Sequence, residues 1–209
     1  MIEVGWTAPF GSGTRAGVVR TRLRTYSVAW RRARIDGVSD RRGGELRIPA
    51  ALQEPFRSAL VAAGEVWIAD LGDHLISLVL FGSVARRQAQ ATSDIDLIVV
   101  AEGLPRSLVE RRRPLLASWE QARESRGLPH AAWNLITKTP DEARVRSPLY
   151  LDVVDDGILI LDRGGFFEAV LQGMQERMRT LGSRRVYLPD GTWYWDLKPN
   201  FRFGEVVEL

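Results

Sequence analysis

Residues 75–83 read LISLVLFGS and residues 94–100 read DIDLIVV, and these two stretches decide the fold. Each contains a short run of almost continuously apolar residues, which is typical of a strand that is covered on both faces. The first run ends in a glycine–serine pair, and Gly82 lets the backbone approach a ligand closely because it has no Cβ. A short helix that begins there would direct free N–H groups at a bound phosphate. The pattern predicts a strand, a tight turn with a short helix, and a second strand.

Two acidic residues, Asp94 and Asp96, stand two positions apart in the second stretch. Side chains two apart on a strand share a face, so both carboxylates point the same way. Two carboxylates that converge on one spot repel each other unless a cation lies between them. Mg²⁺ suits this role, because it binds one or two carboxylates and completes its shell with phosphate and water. The spacing therefore predicts a magnesium site next to a phosphate site at Gly82 and Ser83.

The order apolar–Gly–Ser, a spacer of ten residues and Asp–apolar–Asp–apolar resembles the signature of the DNA polymerase beta-type nucleotidyltransferase superfamily. The words FGSVAR and SDIDLIVV are most similar to its minimal nucleotidyltransferase branch. The resemblance implies that Gly82 and Ser83 bind the phosphates of a nucleoside triphosphate, most often ATP. It implies that Asp94 and Asp96 hold two Mg²⁺ ions. The implied reaction moves a nucleoside monophosphate to an acceptor and releases pyrophosphate.

Two further residues near the motif are candidates for nucleotide binding. The guanidinium of Arg86 could grip phosphate in a forked geometry, and Ser93 directly precedes the acidic pair. A solvated loop arginine and a turn-forming serine explain the same residues without a ligand. Family members often carry glycine where Arg87 stands, so the resemblance transfers only Arg86.

The superfamily usually places a third carboxylate on a neighbouring strand, where it activates the acceptor hydroxyl. The matching strand is 132–138, and the matching position holds Asn134, which cannot act as a general base. Three explanations stay open. Another carboxylate fills the gap, namely Asp152, Asp155 or Asp156; the acceptor ionises without a base; or the chain binds a nucleotide without turning it over.

Composition narrows the possible classes of protein. The chain has 209 residues and 45% hydrophobic content, which suits one α/β core with appendages. It contains no cysteine, which excludes disulfides, thiolate metal sites and cysteine nucleophiles. No apolar run reaches the ~20 residues that span a bilayer, and no secretory segment opens the chain. We therefore expect a cytoplasmic protein without a membrane contact.

Charge is divided unevenly along the chain. Residues 1–44 hold nine arginines and three acidic residues, a net charge of +6, whereas the rest holds 20 basic and 23 acidic residues, a net charge of −3. We expect residues 1–44 to form a poorly ordered basic arm. The arm either contacts nucleic acid weakly through phosphates or is a flexible tail.

The predicted fold is α/β, a nucleotidyltransferase-like mixed sheet with helices mainly on one face and a C-terminal β-hairpin. The predicted domains are the arm 1–44, the nucleotidyltransferase domain 45–182 and a hairpin module 183–209. The predicted helices cover 49–72, 105–126 with a kink or interruption at Pro114, 140–145, 148–155 and 163–181. The three long helices carry an apolar side, which recurs in 49–72 at three- and four-residue spacing. Arg111, Arg112 and Arg113 are placed on the wet face of the second of these helices.

The C-terminal stretch 184–197 reads RRVYLPDGTWYWDL, and its Asp–Gly pair predicts a hairpin turn. The hairpin's aromatic residues could stack on a base or could anchor the hairpin to the domain.

The acceptor stays open between a protein, an RNA and a small molecule. Three rival functions remain besides transfer to such an acceptor. A nucleic-acid binder that acts through residues 1–44 is the first, and two others concern the domain itself. One is a weak or inactive nucleotide-binding, antitoxin-like partner of a small helical toxin protein, and the other is an antibiotic-modifying nucleotidyltransferase.

Overall fold

The structure is a computed structural model that describes residues 38–39 and 45–209. Its strands are β1 Val38–Ser39, β2 Glu45–Leu46, β3 Leu75–Phe81, β4 Ile95–Ala101, β5 Trp133–Lys138, β6 Ile158–Asp162, β7 Arg184–Tyr187 and β8 Trp193–Asp196. Its α-helices are α1 Phe56–Leu71, α2 Gly82–Ala85, α3 Leu108–Arg126, α4 Pro140–Arg144, α5 Leu149–Asp156 and α6 Phe166–Leu181. Short 3₁₀ turns at Gly72–His74 and Arg163–Gly165 precede β3 and α6.

The central sheet has four strands in the order β5–β4–β3–β6. Strand β3 runs antiparallel to both β4 and β6, whereas β5 runs parallel to β4. A parallel neighbour needs a crossover connection, and α3 supplies it between β4 and β5. The α/β class, the mixed sheet and the strand predicted at 132–138 are therefore confirmed.

Helices cover both faces of the sheet, which corrects the prediction that they lie mainly on one. Along β4, Ile95, Leu97 and Val99 pack in one core with α1 and α3. The alternate residues Ile98 and Val100 pack in a second core with α5 and α6. Because both sets of side chains on the strand are apolar, neither face of the sheet is stable in contact with water.

Helix α1 begins at Phe56 and not at Pro49, where the sequence predicted its start. A helix from 49 would carry Pro55 in its interior. Proline lacks the N–H of the helical hydrogen bond, and it disfavours helical geometry in the residue before it. Pro55 is instead the residue that precedes the first helical turn.

Pro114 does not interrupt α3, which also begins later than predicted, at Leu108 rather than 105. The side chain of Ser107 caps the start of the helix by accepting a hydrogen bond from the N–H of Glu110 at 3.4 Å. Arg111 and Leu115 flank the proline and are both buried. Pro114 has no N–H to donate to the preceding turn of the helix. We attribute the continuity of the helix to the burial of Arg111 and Leu115, which holds the backbone on both sides of the proline.

Arg111 is buried, with 5% of its surface exposed, although the sequence placed it on the wet face of the helix. Its Nη1 and Nη2 donate to the two carboxylate oxygens of Glu142 at 2.6 and 3.0 Å. Further bonds run from the guanidinium to the carbonyl oxygens of Pro105 and Thr137. Glu142 also accepts a bond from the N–H of Thr139 and so caps α4. A guanidinium can be buried when its donors are satisfied in this way.

The substitution Glu142→Gln is expected to weaken the dependence of stability on pH in acid. The hydrogen bonds from Arg111 and then from the Thr139 N–H lower the pKa of Glu142 from 4.5 to about 2. Because the folded-state pKa lies below the unfolded value, the carboxylate contributes stability above about pH 4.5, and this contribution is lost as the pH falls towards 2. Urea unfolding across this pH range measures the difference between the two proteins.

The matched control is Glu176→Gln, which removes one side of an exposed ion pair with Arg179 on α6. Exposed pairs contribute little to stability, so this variant should follow the wild type at every pH. Equal pH profiles for the wild type and Glu142→Gln would contradict the assignment.

The predicted C-terminal hairpin is confirmed as β7 and β8, which pair antiparallel. It is anchored on α5 by Arg185, whose Nη2 lies 3.0 Å from Asp152, 3.5 Å from Asp155 and 3.2 Å from Asp156. Trp195 Nε1 donates to Asp152 Oδ1 at 2.9 Å. The three aspartates considered as a third catalytic acid therefore bind the hairpin.

Apart from Val38–Ser39, the arm predicted at 1–44 lies outside the described residues. The segment after β2 lies along the outer side of β6, where the N–H of Arg47 donates to the carbonyl of Ile160 at 2.6 Å. The division at 182–183 stays a prediction. None of the helices in the described part of the chain combines the length and apolar character needed to cross a bilayer.

Candidate functional site

The turn after β3 brings the backbone of Gly82 against the acidic strand. The φ angle of Gly82 is +72°, in the left-handed region that glycine adopts without steric cost. A Cβ at this position would lie 2.0 Å from Asp96 Oδ2 and 2.8 Å from Asp96 Cγ. Both the φ angle and the missing space require glycine. The turn and the carboxylate therefore lie in direct contact.

The single helical turn α2 ends in a closed loop that positions Arg86. The N–H of Arg87 donates to Val84 O at 3.1 Å, and the N–H of Gln88 donates to Ser83 O at 2.9 Å. This pair of bonds is a Schellman motif, in which the residue at Arg87 is usually glycine. Arg87 accordingly has a φ of +59°. The motif fixes the backbone from which the Arg86 side chain leaves.

The predicted acidic pair brackets the start of β4. The strand begins at Ile95, so Asp94 lies just before it and is exposed, whereas Asp96 is half-buried inside it. Burial raises the pKa of Asp96 above its ordinary value, and the charge of Asp94 raises it further. A hydrogen bond from Asn134 and the charge of Arg86 act in the opposite direction. Asp94, Asn134 and Arg86 therefore all lie close enough to Asp96 to influence its pKa.

Asn134 stands beside Asp96, as the sequence predicted. The two residues are register partners on the parallel strands β5 and β4. Asn134 Nδ2 donates to Asp96 Oδ1 at 2.8 Å. One oxygen of Asp96 therefore binds the amide, and the other lies against Gly82. Within residues 38–39 and 45–209 no group of three or more acidic, histidine or cysteine side chains could hold a metal.

Ser93, predicted to touch the nucleotide, closes the loop before β4. Its Oγ accepts from the N–H of Gln90 at 2.9 Å, and its own N–H donates to Gln90 O at 2.9 Å. The hydroxyl thus has a structural contact, and its nucleotide contact stays a prediction.

One neighbour of the motif was missed from the sequence. The Cζ of Arg86 lies 5.3 Å from the ring centroid of Trp193 on β8. The Cζ of Arg185 lies 5.0 Å from the same centroid. The sequence predicts that the hairpin aromatics stack on a base or anchor the hairpin. No pattern in a single sequence pairs one of them with a particular arginine in a distant loop.

The donor set fits a divalent cation that brings further ligands of its own. Two carboxylates supply hard oxygen atoms, and a cation between them would relieve the repulsion by which Asp94 raises the pKa of Asp96. Two carboxylates leave most of an octahedral shell free. Mg²⁺ fills such positions with water and phosphate oxygens, so the residues fit Mg²⁺ bound together with a nucleotide.

Residues 68–153 match the family model of the nucleotidyltransferase domain. The matched segment contains the whole group built above, with Gly82, Asp94, Asp96 and Asn134. The chain carries a nucleotidyltransferase domain. The hairpin that reaches Arg86 lies outside the matched segment of this nucleotidyltransferase domain.

A related protein is a proposed protein adenylyltransferase of Methanocaldococcus jannaschii. It is 50% identical over 44 residues, which make up 21% of this chain and 30% of that protein. The match thus spans less than a third of the relative's length.

Among solved structures, a chain from a toxin–antitoxin complex with AMP-PNP is 18% identical, with a TM-score of 0.38 over 57% of this chain and 90% of that one. A proposed nucleotidyltransferase from Sulfolobus solfataricus is 23% identical, with a TM-score of 0.32 over 52% of this chain and 83% of that one. Each of these two structures is similar to a part of this chain.

Proposed function

We propose that the nucleotidyltransferase domain moves a nucleoside monophosphate from a nucleoside triphosphate to an acceptor and releases pyrophosphate. The contact between Gly82 and Asp96 carries the proposal, because it joins the turn suited to phosphate to a carboxylate suited to metal. The domain match supports the reaction class. The name of the M. jannaschii relative favours ATP as the donor.

The phosphates would bind at the turn. Gly82 presents bare backbone there, and Ser83 offers a half-buried hydroxyl that has no hydrogen bond to the described residues. Arg86 follows at the end of α2, and its charge acts on Asp96. A guanidinium in this position would neutralise phosphate charge that a carboxylate would otherwise repel.

Asp94 and Asp96 would hold two Mg²⁺ ions. When bound, the ions neutralise the triphosphate and increase the acidity of the attacking oxygen. Asn134 keeps Asp96 Oδ1 in place by donating its hydrogen bond, and Gly82 leaves room for Oδ2. The protein's own contribution is thus to orient carboxylate oxygens beside the phosphate turn.

In the transfer step the acceptor oxygen forms a bond to the α-phosphorus, and the bond from that phosphorus to the bridging oxygen breaks. Pyrophosphate leaves with the bonding electrons. The acceptor proton goes to solvent, because the amide of Asn134 cannot accept it. An acceptor with an easily ionised hydroxyl therefore suits the site best.

Asn134 also favours a second candidate function, a nucleotide-binding partner protein that turns over slowly or not at all. The amide stands where the superfamily resemblance implies a carboxylate, and within the described residues no other acid joins Asp94 and Asp96. Such a protein would bind Mg²⁺ and ATP without releasing pyrophosphate.

The test incubates the purified full chain with Mg²⁺ and each labelled nucleoside triphosphate, with and without cell lysate. Pyrophosphate release and mass analysis identify any acceptor that gains a nucleotide. Labelling from one triphosphate supports transfer. Tight ATP binding without pyrophosphate supports the second candidate, and an absence of binding contradicts both.

The remaining assignments stay predictions. They are the identity of the acceptor, the small helical toxin partner, the weak nucleic-acid contact by residues 1–44, the cytoplasmic location and the antibiotic-modifying alternative. The same mass analysis would separate protein, RNA and small-molecule acceptors.

A further inference from the structure

The side chain of Arg86 lies between the Gly82 turn and the C-terminal hairpin. Within the described residues its guanidinium makes one hydrogen bond, from Nε to Gln88 Oε1 at 3.3 Å, and forms no ion pair within 4.0 Å. The ring of Trp193 also lies next to the guanidinium, 5.3 Å from Cζ to the centroid. A guanidinium at this distance from an indole ring is attracted by the ring's electrons.

A second guanidinium, that of Arg185 on β7, lies next to the Trp193 ring. The Cζ of Arg185 lies 5.0 Å from the ring centroids of both Trp193 and Trp195. The Arg185 side chain is 9% exposed and is fixed by the three aspartates of α5. The hairpin that presents the Trp193 ring to Arg86 is therefore anchored to α5 by these ion pairs.

Two guanidinium groups next to one indole ring leave less of its surface for a nucleobase. The alternative raised from the sequence, stacking of a base on the hairpin aromatics, is thus less well supported at Trp193 than a contact with Arg86. A long arginine side chain loses rotamer freedom when it binds a ligand, and holding it beforehand reduces that cost.

We infer that Trp193 is a positioning residue, which holds the guanidinium of Arg86 ready for the triphosphate. The inference rests on the proposed function, because it assigns Arg86 to the phosphates. It makes the C-terminal hairpin part of the nucleotide site, although the hairpin lies outside the matched domain.

The test is a double-mutant cycle on binding of Mg²⁺·ATP, measured by calorimetry with the full chain. Trp193→Ala should weaken binding about three- to tenfold, the range expected for loss of a cation–π contact. Trp193→Phe, which keeps an aromatic ring, should restore most of the affinity. In an Arg86→Ala background, Trp193→Ala should cause no further loss.

Tyr194→Ala is the matched control. Tyr194 is the next residue on β8, so it points to the opposite side of the strand, and it is 53% exposed. Its removal should leave the dissociation constant unchanged. Thermal unfolding of each variant separates a loss of affinity from a loss of folded protein.

Three results would overturn the inference. Trp193→Ala could bind ATP like the wild type, its effect could add fully to that of Arg86→Ala, or Tyr194→Ala could weaken binding equally. In these cases the wild type still binds ATP, so the proposed function stands. A wild type that binds no triphosphate would overturn the inference and the proposed function together.

Discussion

Replacing Asp96 by asparagine is expected to lower nucleotide transfer more than about 100-fold, since loss of a metal ligand exceeds the 10- to 100-fold effects seen for residues that only support ligands. The asparagine keeps the size of the side chain and can still accept from Asn134. It removes the charge that holds Mg²⁺. Burial and the charge of Asp94 raise the pKa of Asp96, so its ionised form is disfavoured in the folded protein.

The sign of the stability change separates this interpretation from misfolding. Because the folded-state pKa is raised, ionised Asp96 costs stability at neutral pH, and that cost disappears in Asp96→Asn. The ligand-free variant should therefore melt at the wild-type temperature or above it. Mg²⁺ with ATP should raise the melting temperature of the wild type and not that of the variant.

Asp141→Asn serves as the charge-matched control. Asp141 is 96% exposed on α4, where it pairs with Arg144. This control should keep both the activity and the thermal response to ligand. An Asp96→Asn protein with wild-type activity, or with a wild-type response to Mg²⁺ and ATP, would remove Asp96 from the site.

The second large effect is expected from Gly82→Ala. The new Cβ would lie 2.0 Å from Asp96 Oδ2, so either the carboxylate or the turn must move. Misplacement of a reacting group by about 1 Å can cost on the order of 100-fold in rate. We expect a loss of kcat/KM of about that size and a lower melting temperature.

Gly103→Ala is the matched control, and the difference between the two variants measures the steric part of the effect. Gly103 has a φ of +69°, close to the +72° of Gly82, but a Cβ there would meet nothing within 4 Å. Both variants carry the backbone cost of a left-handed alanine, about 1 kcal/mol or slightly more. Only Gly82→Ala also displaces Asp96. If both variants kept full activity, the contact between turn and carboxylate would have no catalytic role.

Much of the central sheet could be predicted from the sequence because its strands are short apolar runs bounded by turn residues. The strand at 75–81 has the predicted ends, and the acidic strand is shifted by one residue, to 95–101. The predicted start of α1, at Pro49, was wrong. Apolar residues at helical spacing continue on the N-terminal side of Pro55, so the pattern gave no sign that the helix begins after the proline. The burial of Arg111 had no local signal, since its partner Glu142 lies on another element.

The residues of the candidate site also differ in how far the sequence could predict them. Gly82, Asp94 and Asp96 could be proposed from spacing, because a turn and a strand are local structures. The place of Asn134 required the correct strand order, which the resemblance supplied and the register confirms. Trp193 could not be placed, because its contact with Arg86 depends on how α5 orients the hairpin.

The family-matched segment ends at residue 153, before β6 begins. Strand β6 nevertheless hydrogen-bonds the strand that leads into the Gly82 turn, with Leu80 opposite Ile158. A recombinant fragment trimmed to 68–153 would leave the backbone of that strand open along one side, an edge on which copies of the fragment could associate. A fragment suited to expression would retain β6 and the stretch around Arg47 that shields it.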